Sequence, residues 1–364
     1  VSIRYAAVKW NRNKRIYDCV LAAGIVLYLG LFFLVGKLAW EGRPGISDEV
    51  LLIRALGTCA FLLLHVVLCI GPLARFDRRF LPLLYNRRHL GVATFTVGLF
   101  HGALATGYYH AFGRLNPLVS LLSTNTHYDS LTTFPFETLG VLALVILFLM
   151  AATSHDFWLK NLSPSVWKAL HMLVYPAYGL LVMHVTLGAL HSEDSMVYVV
   201  LVGLGVTTVV GLHLAAGWRE RLRDRRQPGP EEKSNGERWI EVCSVDEIPE
   251  NRAKVVCLDG CERVAVFRYG GRISAVTNVC AHQRGPLGEG KIIDGCITCP
   301  WHGWEYRPEN GQSPPPFQER IATFRVRVKG RRILLDLHPL PPGTPVEPAR
   351  IEEPLHDRTR ANAE

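Results

Sequence analysis

The sequence predicts a multidomain protein: a six-helix transmembrane bundle followed by a small antiparallel all-β domain. Three observations predict it. Six apolar runs long enough to cross a bilayer all lie before residue 218, lysine and arginine crowd alternate loops between them, and beyond residue 237 the apolar period changes to two. The 364 residues are 49% hydrophobic and 20% charged, with a net charge of +8. Such averages would suit one soluble enzyme, but the segregation of apolar from charged residues excludes a single globular fold. Plentiful Trp, Tyr and Phe exclude intrinsic disorder.

Spanning about 30 Å of hydrocarbon takes roughly 20 helical residues. Runs 17–39, 51–73, 90–112, 134–153, 166–190 and 196–217 qualify. The first is too long for a signal-peptide core and lacks a small-residue cleavage pattern. Eighteen Lys and Arg residues, among them Arg12, Arg75, Arg87, Lys168 and Arg219, fall on one side of the bundle. The other side has Lys37, Arg43 and Arg114. Positive charge stays cytoplasmic, so both termini are expected in the cytoplasm and the bundle in the cell's inner (plasma) membrane. The basic excess then marks topology, and a nucleic-acid partner is not expected.

Residues 218–237 open with a basic helix end and continue through Pro228-Gly229-Pro230, which reads as a cytoplasmic tether. From residue 238, alternating runs flank Tyr269-Gly270-Gly271, Asp294-Gly295 and Lys329-Gly330, three hairpin signals. The expected domains are therefore 1–217, a linker 218–237, a β domain 238–340 and a polar tail 341–364.

Ten of the fourteen histidines lie in the membrane half, where ionisable groups are costly and default to function. His101 stands thirteen residues beyond Arg88 and His184 sixteen beyond Lys168, depths of about 20 and 24 Å. Two imidazoles at similar depth on different helices suit a six-coordinate haem iron. The plainer reading is that they hydrogen-bond between helices. His171 and His89 form a second, shallower pair near the cytoplasmic ends of the fifth and third runs. His65, about 15 Å deep, suits a hydrogen-bonding or quinone-contact role. Arg54, Arg87 and Arg88 are candidates to pair with haem propionates.

Arg87-Arg88-His89-Leu90-Gly91 with His101, and Trp167-x-x-Leu170-His171-x-Leu173-Val174-Tyr175 with His184, resemble the ferric-reductase-like transmembrane superfamily over residues 50–217. The resemblance implies haem b, one or two, with His101 and His184 as ligands of the outer haem and His171 at the inner one. The family's oxidase branch has its second inner ligand fourteen residues before His101. Arg87 occupies that position here, and His89 is the nearest substitute.

In the β half, Cys280-x-His282 and Cys299-x2-His302 are separated by sixteen residues. Zinc could be held by two thiolates and two imidazoles, but zinc fingers group like ligands at C-x(2–4)-C and H-x(3–5)-H spacing. One sulfur and one nitrogen from each of two loops suit a [2Fe–2S] rhomb with Rieske ligation. With Gly285, Gly303 and Trp304 around it, the pattern resembles the Rieske ferredoxin family over residues 238–338. Cytochrome bc-type members carry an additional disulfide beside the loops; those places hold no cysteine here, which implies a potential on the order of −150 mV. Pro314-Pro315-Pro316 is expected to form a stiff loop over the cluster, and the remaining cysteines to stay reduced.

The expected function is membrane electron transfer: single electrons pass between a cytoplasmic [2Fe–2S] cluster and b-type haem, within a larger redox chain. Gly203-Leu204-Gly205 lies inside the sixth run with no strand before it, so no dinucleotide fingerprint is visible. A separate electron donor or acceptor protein is therefore implied. The alternatives are an accessory subunit of a respiratory or photosynthetic membrane complex, or a quinone-reactive oxidoreductase using His65 or His89.

Overall fold

A computed structural model describes residues 12–39, 46–131, 133–155, 158, 162, 164–188, 190, 196–224, 231–234, 237–258, 262–282, 284–301 and 303–351. The chain divides at Gly217 into two compact units.

The first unit holds α1 (Arg12–Ala39), α2 (Asp48–Phe76), α3 (Leu81–His110), α4 (Pro117–Ser123), α5 (Phe136–Thr153), α6 (Pro164–Met172), α7 (Val174–Leu187) and the greater part of α8 (Met196–Asp224). Among the described residues, six stretches are long and apolar enough to span a membrane: Lys14–Leu38, Asp48–Phe76, Asn86–His110, Phe136–Thr153, Val166–Leu187 and Tyr198–Leu222. Their outer faces are apolar and bare, with Val20, Val26, Leu34 and Leu201 all more than half exposed, as lipid-facing positions should be. The bundle packs internally through Leu64, Leu68, Val174, Tyr178 and Val209, and through Val67, Ile70, Leu84 and Leu90.

The fifth span, expected as one helix, comes as α6 and α7 with a turn at Leu173. Pro176 has no N–H for the Met172 carbonyl, so the ladder is interrupted one turn before it. Ser47 starts α2 by accepting the Val50 N–H at 3.4 Å, and Asp48 and Glu49 in the first turn suit the helix dipole.

The second unit carries twelve described strands, all antiparallel in their pairings. A four-stranded sheet runs β1 (Glu231–Ser234), β2 (Glu237–Ser244), β11 (Arg332–Asp336), β10 (Val326–Lys329). A second runs β12 (Ala349–Arg350), β5 (Arg272–Thr277), β4 (Arg263–Tyr269), β3 (Arg252–Cys257), with β9 (Thr323–Phe324) also on β5. A small third sheet, β6 (Lys291–Ile293), β7 (Cys296–Thr298), β8 (Glu305–Tyr306), carries the second Cys-His loop between β7 and β8.

Two hairpins fall where the sequence places them. Gly270 and Gly271 (φ +49° and +69°) join β4 to β5, and Asp294 and Gly295 (φ +49° and +78°) join β6 to β7. The third is displaced by one residue: Lys329 pairs with Arg332, so the turn is Gly330-Arg331, with Gly330 at φ +60° in its first position. The alternating run before Lys329 is broken at Arg325 into β9 and β10, which serve different sheets.

The expected boundaries also need correction. β1 pairs with β2 inside the supposed linker, because the chain there completes the edge of a sheet. The supposed tail contributes β12 on β5 and a Val346 N–H bond to the Glu309 carbonyl at 2.7 Å, so the fold extends to about residue 351. Among the described residues no cysteine is in a disulfide.

Candidate metal centres

In the membrane unit, α3 and α7 bring the rings of His101 and His184 together, with centroids 6.3 Å apart and planes at 80°. Two metal–imidazole bonds of about 2 Å each, plus the two ring radii, come to about 6 Å. His101 Nδ1 lies 2.9 Å from the Ile53 carbonyl on α2, and His184 Nδ1 lies 2.8 Å from the Phe136 carbonyl at the start of α5. A carbonyl can only accept, so each Nδ1 carries the proton and each Nε2 is left with its lone pair. These residues fit a haem iron held from both faces. Arg54, beside Ile53 on α2, puts a positive charge within electrostatic reach of Tyr109 near the same end of the bundle.

The shallower pair is not brought together in the same way. His171 donates or accepts at both nitrogens, Nδ1 at 3.0 Å from the Trp167 carbonyl and Nε2 at 3.2 Å from Ser154 Oγ, and its ring stacks on Trp167 at 3.8 Å. His89 Nδ1 instead meets the Asp18 carboxylate of α1 at 2.7 Å. The charges of Arg87 and Arg88 act on the His171 imidazole, and Arg87 packs over Gly71 of α2. His65 is bonded through Nδ1 to the Phe61 carbonyl at 2.8 Å and through Nε2 to the Tyr178 hydroxyl at 3.0 Å, an interhelical tie. Gly205, part of the glycine pair in the sixth run, packs against that His65 ring, which gives the motif a packing role.

In the β unit, Cys280 and Cys299 are each about 1% exposed within one apolar cluster that includes Leu287, Ile297 and Tyr306. Their two loops share one hydrogen-bond plan. The Cys280 N–H donates to the Gly285 carbonyl and the Cys280 carbonyl accepts from the Arg284 N–H; the Cys299 N–H donates to Trp304 and the Cys299 carbonyl accepts from Gly303. The fifth residue of each loop takes positive φ, Arg284 at +59° and Gly303 at +70°. Each loop therefore turns back on its own cysteine, and both cysteines lie in the one buried cluster. His302 lies outside the described residues.

The loops meet closely. A Cβ on Gly285 would stand 2.8 Å from Cys299 Sγ and 3.2 Å from the Trp301 ring. Gly285→Ala is thus expected to lose most of its cluster, read as iron and acid-labile sulfide per chain; full occupancy would contradict the packing.

One neighbour, Tyr306, escapes sequence reading. The Tyr306 hydroxyl lies 3.3 Å from Cys280 Sγ and accepts the His282 N–H at 3.3 Å. Burial, reinforced by the Cys280 sulfur, pushes its phenol well up from the usual range, so it keeps its proton. Trp304 stacks on His282 at 4.0 Å and 5°, donates from Nε1 to Ser313 Oγ at 3.1 Å and meets Phe317 at 4.3 Å. Ser313 and Phe317 flank the proline run, so that loop reaches His282 through Trp304.

Comparison with known proteins agrees with this division. Residues 56–182 match the model of the ferric reductase like transmembrane component, and residues 238–325 match the Rieske [2Fe-2S] domain. The ferredoxin component of an alkene monooxygenase system from Xanthobacter autotrophicus is 32% identical over 28% of this chain and 84% of its own length. The ferredoxin component of a naphthalene 1,2-dioxygenase system from Pseudomonas aeruginosa is 30% identical over 28% and 97%. The protein-methionine-sulfoxide reductase heme-binding subunit MsrQ of Caulobacter vibrioides is 32% identical over 48% of this chain and 78% of that protein. The chain accordingly belongs to the ferric-reductase-like transmembrane family through its helical half and to the Rieske [2Fe-2S] family through its β half, a multi-pass membrane protein built for electron transfer.

Proposed function

We propose that this protein passes single electrons between a cytoplasmic [2Fe–2S] cluster and b-type haem in the bilayer, as one component of a larger redox chain. The observation that carries the reading is the His101–His184 pair, whose Nδ1 atoms are both tied to backbone carbonyls while the rings stand 6.3 Å apart. The MsrQ relative, by its name, binds haem, and the ferredoxin relatives are components of multi-protein systems. The haem supplies a one-electron carrier inside the apolar bundle. The chain's own part is to hold it through His101 and His184, to offer Arg54 to its propionates, and to keep water away from the iron.

At the other centre Cys280, His282, Cys299 and His302 would hold the cluster, which supplies a second one-electron carrier. Cysteine burial keeps solvent from the sulfurs. His282, half-buried, is the exposed edge through which a partner's electron would pass. A separate reductase or ferredoxin delivers or removes electrons there, with both termini on the cytoplasmic side of the plasma membrane. Arg87, Arg88, His89 and His171 lie at the cytoplasmic-side level of the bundle, where both histidines are already engaged by protein groups, so a single bis-histidine haem is proposed. His65, bonded on both nitrogens, ties helices together.

The test is anaerobic reduction of the purified full-length protein in proteoliposomes, with NADH and a soluble ferredoxin reductase as the electron source and the haem absorbance as the readout. Haem reduction is expected in the wild type and largely lost in Cys299→Ser, which lacks the cluster. Equal rates in the two proteins would remove the cluster from the path.

A further inference from the structure

His101 and His184 sit in two copies of one arrangement, and we infer that Gly57 and Gly140 are positioning residues that fix the planes of the two imidazoles for the haem. The inference rests on the bis-histidine reading above.

In each copy a histidine bonds through Nδ1 to a carbonyl 48 residues earlier, Ile53 for His101 and Phe136 for His184. One helical turn beyond each acceptor stands a glycine, Gly57 on α2 and Gly140 on α5. The same offset separates carbonyl from carbonyl, glycine from glycine and histidine from histidine. The α2–α3 pair is thus repeated, at this level, by α5 and α7. Each glycine leaves room for the ring that the carbonyl holds. A Cβ on Gly57 would lie 2.8 Å from His101 Cε1 and 2.9 Å from Nδ1; on Gly140 it would lie 2.9 Å from both Cε1 and Nδ1 of His184.

Contacts that short require something to move, and the ring is the wrong thing to move. Its Nδ1 bond fixes one edge and its Nε2 must face the iron, so a rotation that clears the methyl breaks the bond or turns the lone pair aside. Gly24 and Gly203 differ: a Cβ there would meet nothing within 4 Å. Carbonyl and glycine act together, the first choosing the tautomer and the second setting the ring's plane.

The test compares Gly57→Ala, Gly140→Ala, Gly24→Ala and Gly203→Ala, each as the full chain purified with haem. The readout is the low-spin haem EPR signal relative to the Rieske signal of the same molecule. Gly57→Ala and Gly140→Ala are each expected to lose about tenfold of that ratio, the scale typical when a group orienting a metal-bound histidine is removed. Gly24→Ala and Gly203→Ala are expected to keep it. A wild-type ratio in Gly57→Ala or Gly140→Ala overturns the inference. Should Gly57→Ala fail to yield folded protein, the double variant Gly57→Ala/His101→Ala decides. Recovery of monodisperse protein shows that the ring is what the methyl strikes, and failure of the double variant also overturns the role. A low-spin signal that survives His101→Ala would instead overturn the bis-histidine reading itself.

Discussion

Replacing His184 by alanine is expected to abolish the low-spin haem signature while leaving the Rieske signal of the same chain at wild-type strength. The loss should be nearly complete because, among the described residues, His65, His89, His171 and His213 of the spans already have partners. His65 is bonded on both nitrogens, His171 is held by Trp167 and Ser154, His89 meets Asp18, and His213 is bonded to its own helix at the Val209 carbonyl. Removing one of two axial imidazoles leaves a five-coordinate iron, which converts to high spin or is lost. The cluster should be spared because the two compact units fold around separate cores. Absorption and EPR spectra of the purified variant check both halves of the expectation. His171→Ala should leave both the low-spin signal of the His101–His184 centre and the total haem content in place.

The second large effect is expected at Tyr306. Its hydroxyl is 3.3 Å from Cys280 Sγ, in a side chain with no exposure to solvent. Once Cys280 is a cluster ligand it has no proton, so the hydroxyl donates. A hydrogen bond to a ligand sulfur stabilises the extra negative charge of the reduced cluster and so raises the potential. A charge-assisted bond of about 1.5 kcal/mol corresponds to about 60 mV for one electron. Tyr306→Phe keeps the ring and removes the donor, so the midpoint should fall by about that amount. The hydroxyl also receives the His282 N–H, so the variant should disturb the loop carrying that ligand. A midpoint unchanged in a potentiometric titration would show that the hydroxyl does not reach the sulfur when the cluster is bound. The bond also works against the low potential expected from the missing disulfide alone.

The sequence was legible where one-dimensional spacing carries the physics. Spans follow from run length, hairpins from Gly-Gly and Asp-Gly, and the Rieske domain from the alternation of Cys and His. Depth counting paired His101 with His184 because both lie on helices running the same way. It could not separate that pair from His171 and His89, since depth says nothing about which way a ring faces; the structure turns His89 toward Asp18. Tyr306 was illegible as a neighbour of the ligands because β8 must first fold back along β7 to bring it there. The edge strands β1 and β12 were missed because short polar stretches such as Glu231–Ser234 carry no period of their own, and because the partner of β12, β5, lies far back in the chain.

The most direct measurement is a potentiometric EPR titration of the purified full-length protein. The account predicts two signals from one chain, a bis-imidazole low-spin haem and a reduced Rieske cluster, with the haem signal removed by His101→Ala and the cluster signal by Cys280→Ser. A protein that shows the Rieske signal and no low-spin haem, or whose low-spin signal survives His101→Ala, would contradict it.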